Sequence, residues 1–480
     1  MRPPSTEPVD GGAQEATLES GSFRDPANRV FYRDGRVLRG LDEHGLSDWD
    51  ALSSSPLFDA LVAERKLVGT RVADDVDLVL DGLHRGVVAV LEHEVVPFVS
   101  YPYEWPFGML KDAALLQLEL VRRALDAGLM LKDSTPYNVQ WSGTSPVFID
   151  VGSFERLAGD EPWAGYRQFC MLFLYPLLIQ AYGDIPFQPW LRGALEGITP
   201  AECNSVLSGR RRLRRGVLTN VALHSRLERR YANSGGEVKR ELQSAGFKKE
   251  IIAANVRKLE RLVGRLEWRP SGSAWSSYEP TTSYTEDDAG RKERFVEEVV
   301  ASERPRLVWD LGCNEGRHAR IAAATAEVVV AVDADAAVVD RLYRALRDEG
   351  NVNVLPLVGN VVDPSPALGW RGLERRPLHE RGSPDLTLAL ALIHHVVISG
   401  NVPVVEFLDW LRSLGGSLVI EFPTPDDPMV RRLLARKRPH DHPDYQTEWF
   451  EQCLGERFDV VGSASLASGS RRLYQARPRA

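Results

Sequence analysis

Residues 308–318 read Val308-Trp309-Asp310-Leu311-Gly312-Cys313-Asn314-Glu315-Gly316-Arg317-His318. An apolar strand runs into a glycine-containing turn, and a helix is expected from Gly316 onward. Glycine lets the backbone turn sharply and approach a ligand with no Cβ in the way. The next strand, over 328–332, leads into Asp333, 23 residues after Asp310. A carboxylate at that distance accepts hydrogen bonds from ribose hydroxyls in nucleotide-binding sheets. A dinucleotide fingerprint needs G-x-G-x-x-G to bring a pyrophosphate onto the helix N-terminus. The pattern here is D-x-G-x-N-x-G, and its leading carboxylate repels a pyrophosphate. It suits the ammonium or ribose of an amino-acid nucleoside instead. Asn314 stands at the middle glycine position, and asparagine tolerates a left-handed backbone.

Working outward, residues 291–480 alternate helix and strand. A helix is expected over 291–301, then strand 307–311, a helix from Gly316, strand 328–332 and a helix from Ala336. Further strands are expected at 354–357, 386–391, 418–422, 458–461 and 473–476. Alternation of this kind means a mostly parallel, doubly wound sheet with helices on both faces.

The D-x-G-x-N-x-G segment resembles motif I of class I methyltransferases that use S-adenosylmethionine (SAM). That resemblance implies a Rossmann-like fold and SAM as cofactor. It implies binding by Asp310, Gly312, Asn314, Gly316, Asp333 and Ala334, by Gly359 and Asn360 after the third strand, and by Ala391. Residues 385–395 (DLTLALALIHH) resemble motif IV, whose C-terminal end lies under the transferred methyl. His394, His395 and, at the end of the next strand, Glu421 are the candidate proton acceptors, because an oxygen nucleophile must lose its proton. Helix capping is the alternative role for Asp310 and Asp333, and a structural role is the alternative for the histidines and Glu421. The runs ALALIHH (389–395), IEF (420–422) and SYPYEWPFGMLKDAALLQLEL (100–120) are similar to NoeA-like methyltransferases of the nodulation-protein type. The likeness covers most of the chain after residue 20 and implies methyl transfer to a small-molecule or glycan-type acceptor, with O-methylation favoured over nitrogen.

The N-terminal half carries a second constellation. Leu131-Lys132-Asp133-Ser134-Thr135-Pro136-Tyr137-Asn138 has the Asp-x4-Asn spacing of the H-R-D-x-x-x-x-N loop of protein kinases, and Asp150-Val151-Gly152 follows Asn138 by 12 residues, where kinases place D-F-G. The resemblance implies an α+β kinase-like domain over 21–265, with Asp133 orienting a hydroxyl and Asn138 and Asp150 holding magnesium on the phosphates of ATP. The departures are Leu131 for histidine, no V-A-I-K and no glycine-rich loop, whose place is taken by Asp25-Pro26-Ala27-Asn28. Arg39 and Lys66 are the two candidates for the phosphate-binding cation. Phosphoryl transfer, nucleotide binding alone and an inactive relic stay open, as does capping of turns by Asp133, Asn138 and Asp150. A hairpin is expected within 22–41 around Asp34-Gly35, strands at 87–99, 138–141 and 147–151, and a helix over 110–129 ending near Gly128. Helices are expected to fill 163–232, with a basic loop at 209–216.

Bulk properties bound these readings. The chain has 480 residues, 43% hydrophobic and 26% charged, which fits two or three globular domains. A formal net charge of −8 excludes general affinity for nucleic acid. The four cysteines, at 170, 203, 313 and 453, form no CxxC pair, so neither zinc nor a disulfide framework is indicated and a cytoplasmic location is expected. Residues 1–20 read as a flexible polar tail without the features of a signal peptide. The longest apolar run, 171–179, is too short to span a bilayer and contains Pro176, which reads as a buried helix with a kink. Residues 266–290 read as a linker or lid, with Trp275, Tyr278 and Tyr284 placed to close over the cofactor or to pack between domains. Arg210 to Arg215 read as a solvated face or an anion site. Glu374-Arg375-Arg376 and Glu380-Arg381 read as shaping the acceptor pocket or pairing with each other. Three functions follow: a SAM-dependent methyltransferase, a bifunctional kinase-methyltransferase, and a scaffold whose N-terminal domain recruits a partner.

Overall fold

The computed structural model describes residues 16–73, 86–157, 163–223, 225, 249–271, 285–438 and 441–479. The chain divides into two compact units: Met1–Ser271 together with Gly369–Arg375, and Gly272–Leu368 together with Arg376–Ala480.

In the second unit, seven strands form one sheet: β10 (Leu307–Leu311), β11 (Val328–Asp333), β12 (Val354–Val358), β13 (Leu386–Ala389), β14 (Ser417–Pro423), β15 (Phe458–Ser465) and β16 (Arg471–Pro478). Their spatial order is β12-β11-β10-β13-β14-β16-β15. The first five are parallel, whereas β16 runs antiparallel to β14 and β15 antiparallel to β16. All five residues of β10 are buried, as in a strand covered on both faces. The helix Ala336–Asp348 turns Val338, Val339, Leu342, Tyr343 and Leu346 into the core at helical spacing. Val308, Val329, Ala331, Leu386, Leu388 and Val419 form the core of this sheet. The chain moves from β10 through β11 to β12 on one side, then returns to β13 on the other. That reversal opens a crevice at the C-terminal ends of the strands, where ligands of open α/β sheets bind.

One expected boundary is corrected here. The helix read over 291–301 is Glu286–Glu303, so residues 286–290, read as linker, are helical. Thr285 caps it in a reciprocal box with Asp288, and three acidic residues in the first turn complement the helix dipole. Trp275, Tyr278 and Tyr284 lie outside the described residues.

The first unit opens with a five-stranded antiparallel sheet in the order β1-β2-β3-β5-β4. These are β1 (Thr17–Leu18), β2 (Asn28–Arg33), β3 (Arg36–Leu41), β4 (Thr70–Val72) and β5 (Ala89–His93). Residues 17 and 18, read as tail, therefore pair with Tyr32 and Phe31. The β2–β3 hairpin turns at Asp34 and Gly35, both with positive φ (51° and 76°), the geometry that fits the twist of paired strands. The helix Phe107–Asp126 presents Leu110, Ala114, Leu118, Val121 and Leu125 to the core. Behind it come β6 (Leu129–Leu131) paired with β9 (Phe154–Arg156), and β7 (Val139–Ser142) paired with β8 (Ser145–Phe148). The strand expected over 87–99 is confined to Ala89–His93, and the one expected at 147–151 ends at Phe148 because Val151–Ser153 forms a short 3-10 turn. The apolar run around Pro176 is helical, with a wide π-type turn over Cys170–Leu174 passing into the helix Tyr175–Gly183. Between 163 and 232 the described helices are shorter than expected, including Gln188–Gly193 and Pro200–Val206. Arg210 to Arg215 are exposed. No helix among the described residues is long and apolar enough to cross a membrane.

Candidate functional site

The crevice of the second unit holds a cavity of about 1090 Å³. At its base is the turn after β10. Gly312 (φ 77°), Asn314 (φ 48°) and Gly316 (φ 73°) are all left-handed. A Cβ on Gly316 would stand 2.6 Å from Leu342 Cδ1. Glycine is therefore required there by both backbone and space, and Asn314 is one of the few other residues that adopts this backbone readily. The Gly312 and Cys313 amides donate to Val332 O (2.8 and 3.0 Å), which binds the turn to the end of β11.

Asp310, the penultimate residue of β10, is 2% exposed, and its Oδ2 has no hydrogen-bond partner among the described residues. Burial pushes its pKa up to about 7 against the pull of the Lys292 ammonium. Asp333, at the end of β11, accepts the Asn314 amide on Oδ2 and the Asp335 amide on Oδ1, both at 2.9 Å. Its pKa is also raised, chiefly by burial. With the Ala334 amide also contributing, the carboxylate still keeps lone-pair capacity for a ribose hydroxyl. A buried carboxylate oxygen lacking a partner, a left-handed backbone cradle and a second carboxylate one strand away fit an amino-acid nucleoside. Asp310, Gly312, Asn314, Asp333, Ala334, Gly359, Asn360 and Ala391 all line the cavity, whereas Gly316 serves the turn. Asn360 is exposed, and its side chain accepts the Val362 amide at 3.0 Å.

The same cavity is also lined by His318, His394, His395, Met429, Leu433, Arg436 and Arg471. The rings of His394 and His395 stand 4.2 Å apart. His394 is 2% exposed, and its Nδ1 has no hydrogen-bond partner among the described residues. Burial, with Arg471 adding, lowers the His395 pKa to about 4. Burial likewise takes His394 well below the usual value and, with Lys292 adding, His318 to about 3. All three imidazoles are neutral at physiological pH.

Glu421, the third candidate acceptor, is fully buried on β14. It pairs with Lys292 (2.7 Å) and with Arg471 Nη1 (3.0 Å). Arg471 Nε in turn donates to Asp427 (2.7 Å), whose other oxygen caps the helix Pro428–Leu434. Lys292, Arg471, Asp427 and His318 had no legible signal in the sequence. Glu374 and Arg375 do not line this cavity; they belong to the first unit, where Glu374 pairs with Arg24 (2.7 Å) and the Arg375 guanidinium lies 4.0 Å over the Tyr137 ring. Glu380 stands 3.7 Å from His379.

In the first unit, Arg39 on β3 pairs with Asp150 (2.9 Å), while Asn138 Nδ2 and Ser153 Oγ donate to the other Asp150 oxygen (3.1 and 2.6 Å). The Asp133 pKa is raised, first by burial and then by the Asp150 charge. Of the two candidate cations, Arg39 is the one beside Asp150. Lys66 is held by Glu119 and Glu64 (2.7 and 2.9 Å). Asp25 and Asn28 lie against this cluster: Asp25 pairs with Lys132 at 3.4 Å, and Asn28 Oδ1 stands 2.8 Å from where a Gly152 Cβ would be. No group of three or more His, Cys, Asp and Glu that could hold a metal ion occurs among the described residues.

No family model matches the chain. Nodulation protein NoeA of Rhizobium meliloti (strain 1021) is 34% identical over 459 residues, covering 95% of each chain. The chain belongs to the NoeA family. Among solved structures, this NoeA-family chain is similar to the N-methyltransferase NodS from Bradyrhizobium japonicum WM9, at 12% identity and TM-score 0.30 over 41% of the chain and 98% of NodS. It is also similar to the magnesium protoporphyrin IX methyltransferase of Synechocystis PCC 6803 with bound SAH, at 15% identity and TM-score 0.30 over 43% of the chain and 93% of that enzyme. The crystal structure of WbdD matches at 20% identity and TM-score 0.29 over 42% of both chains.

Proposed function

We propose that the second unit binds SAM and transfers its methyl group to an oxygen of a small-molecule or carbohydrate-like acceptor. The observation that carries this reading is Asp310: a buried carboxylate oxygen with no described partner, at the strand-order reversal, beside a left-handed backbone cradle. An unpaired buried carboxylate is costly, and an ammonium offsets that cost through a charge-assisted hydrogen bond. Asp310 holds the amino end of the nucleoside, Asp333 the ribose, and Gly359 and Asn360 the adenine side. Bound SAM supplies an electrophilic methyl on a sulfonium. The protein contributes alignment of the nucleophile, exclusion of water and the neutral His394 and His395 pair at the acceptor end. His395 accepts the proton of a hydroxyl nucleophile in this reading. The carbohydrate-like acceptor rests on the resemblance of the sequence to glycan-acting nodulation methyltransferases. Calorimetry of the full chain is expected to show saturable binding of S-adenosylhomocysteine (SAH), lost in Asp333→Ala. No binding to the wild-type chain sinks the reading.

A second reading concerns the first unit. We propose that it holds Mg-ATP in a kinase-like arrangement. The Arg39–Asp150–Asn138 cluster supports this, because a cation on the third strand meets the Asp and Asn that kinase chemistry uses for metal and phosphate. Mg-ATP is expected to bind the full chain, and Asp150→Ala to abolish that binding with SAH affinity unchanged. If Mg-ATP does not bind, the unit is left as a recognition scaffold.

A further inference from the structure

We propose that the methyl acceptor presents an oxyanion already ionised at neutral pH, a carboxylate or a phosphate monoester, and that Arg436 at the cavity rim receives its charge. This rests on the methyltransferase reading above, keeps its SAM site and its oxygen acceptor, and replaces the hydroxyl and its His395 base with an oxyanion that needs no base.

Of the candidate proton acceptors Glu421, His394 and His395, none is a spare base. Both oxygens of Glu421 face cations, Lys292 on one side and Arg471 on the other. Asp427 is occupied by Arg471 and by the amides of Met429 and Val430. The rings of His394 and His395 lie 4.2 Å apart at a tilt of 41°, and a proton on either creates a cation that Arg471 repels, with Lys292 adding at His394. Burial first, and then the Arg471 charge, hold the His395 pKa at about 4. General-base catalysis works best with a group that titrates near the working pH, and both histidines are held well below it.

The same cavity has a spare cation among the described residues. Five Lys and Arg side chains line the cavity. Lys292 and Arg471 serve Glu421, Arg317 pairs with Glu293, and Arg341 stands 3.7 Å from Glu315. Arg436 alone has no carboxylate partner among the described residues. It is exposed, just past the helix whose Met429 and Leu433 line the same cavity. A planar guanidinium suits bidentate recognition of a carboxylate or phosphate.

An oxyanion meets both conditions. One of its oxygens donates a lone pair to the sulfonium methyl carbon, and the O–C bond forms as the C–S bond breaks in line. The electron pair stays on sulfur, leaving a thioether. The product is a methyl ester or a methyl phosphodiester, and no proton is released. Attraction between an anionic nucleophile and a sulfonium also strengthens as water is excluded.

The test uses the full chain saturated with SAH and three probes of one shape: benzoate, phenyl phosphate and phenol. By calorimetry, at least one anion binds saturably and phenol does not. Arg436→Ala weakens that anion roughly two- to fivefold, as loss of an exposed charge pair would, with SAH affinity unchanged. The tighter anion distinguishes carboxylate from phosphate. Phenol binding as well as the anions, neither anion binding, or an anion indifferent to Arg436→Ala overturns the proposal while leaving the methyltransferase reading standing. Failure of SAH itself to bind overturns both.

Discussion

Asp310→Asn is expected to make the ligand-free protein more stable at pH 8 and, at the same time, to cost most of its affinity for SAH. Burial raises the Asp310 pKa to about 7 in the folded chain, against 3.8 for the unperturbed group. Because the folded pKa is the higher one, the folded state binds a proton that the unfolded state releases. Its contribution to stability is fully present below about pH 4 and is lost as pH rises to 7, with a limiting slope of about 1.4 kcal/mol per pH unit. Asparagine keeps the shape and has no charge to desolvate, so the variant lacks that slope. The measurement is a set of calorimetric scans at pH 5, 6, 7 and 8, following the transition that SAH shifts in the wild type. A gap between variant and wild type that stays constant from pH 5 to 8 means that Asp310 does not titrate there. The binding loss has the opposite sign. A charge-assisted hydrogen bond to an ammonium contributes ~1.5–3 kcal/mol, so its removal weakens SAH by roughly 10–100-fold. The group that destabilises the empty site is the one that recognises the ligand, the exchange of stability for function expected of a preorganised site.

What was legible in the sequence was local. Gly312, Asn314 and Gly316 stand in one turn, and their left-handed backbone follows from residue type alone. The Asp34-Gly35 hairpin and the amphipathic helix ending before Gly128 are local in the same way. The thirty-three residues from Arg269 to Ala301 were harder to divide: a Ser-, Thr- and Pro-rich stretch runs directly into Thr285-Glu286-Asp287-Asp288, and a capping sequence uses the same residue types as a linker. Long-range pairings left no trace. Lys292 lies within a charged helix and Arg471 beside a second arginine, and nothing near either points to Glu421. Glu374 and Arg375 follow the third strand of the sheet in sequence, which suggested the acceptor pocket. Their contacts are with Arg24 and Tyr137, some 350 and 238 positions away. Arg39 and Lys66 were equivalent by composition; strand register brought Arg39 beside Asp150, while Glu64 and Glu119 engaged Lys66.

Arg471→Met is expected to be the most destabilising single change among the residues discussed. Arg471 is 3% exposed and sits between two carboxylates of 0% exposure, Glu421 and Asp427. With Lys292 the four groups sum to zero charge. Methionine fills similar volume but leaves two buried carboxylates facing one ammonium. Breaking a buried pair from one side costs ~3–5 kcal/mol, a large share of the ~5–15 kcal/mol by which a domain is stable. Asp427 also caps the helix that carries Met429 and Leu433, so the loss spreads to the cavity wall. Arg471→Lys is expected to fall between the two, because one ammonium cannot reproduce the Nε and Nη1 contacts to separate carboxylates. Adding Glu421→Gln to Arg471→Met removes one stranded charge and recovers part of the loss, a coupling that a double-mutant cycle reads directly. A cost under 1 kcal/mol for Arg471→Met, or strict additivity with Glu421→Gln, would falsify the network. The same cycle bears on the chemistry. Arg471 is the charge that helps hold His395 neutral, so any folded variant lacking it carries a His395 whose pKa moves back up toward the usual value. If the acceptor is an oxyanion, that histidine gains basicity for which the reaction has no use, and turnover does not rise with it.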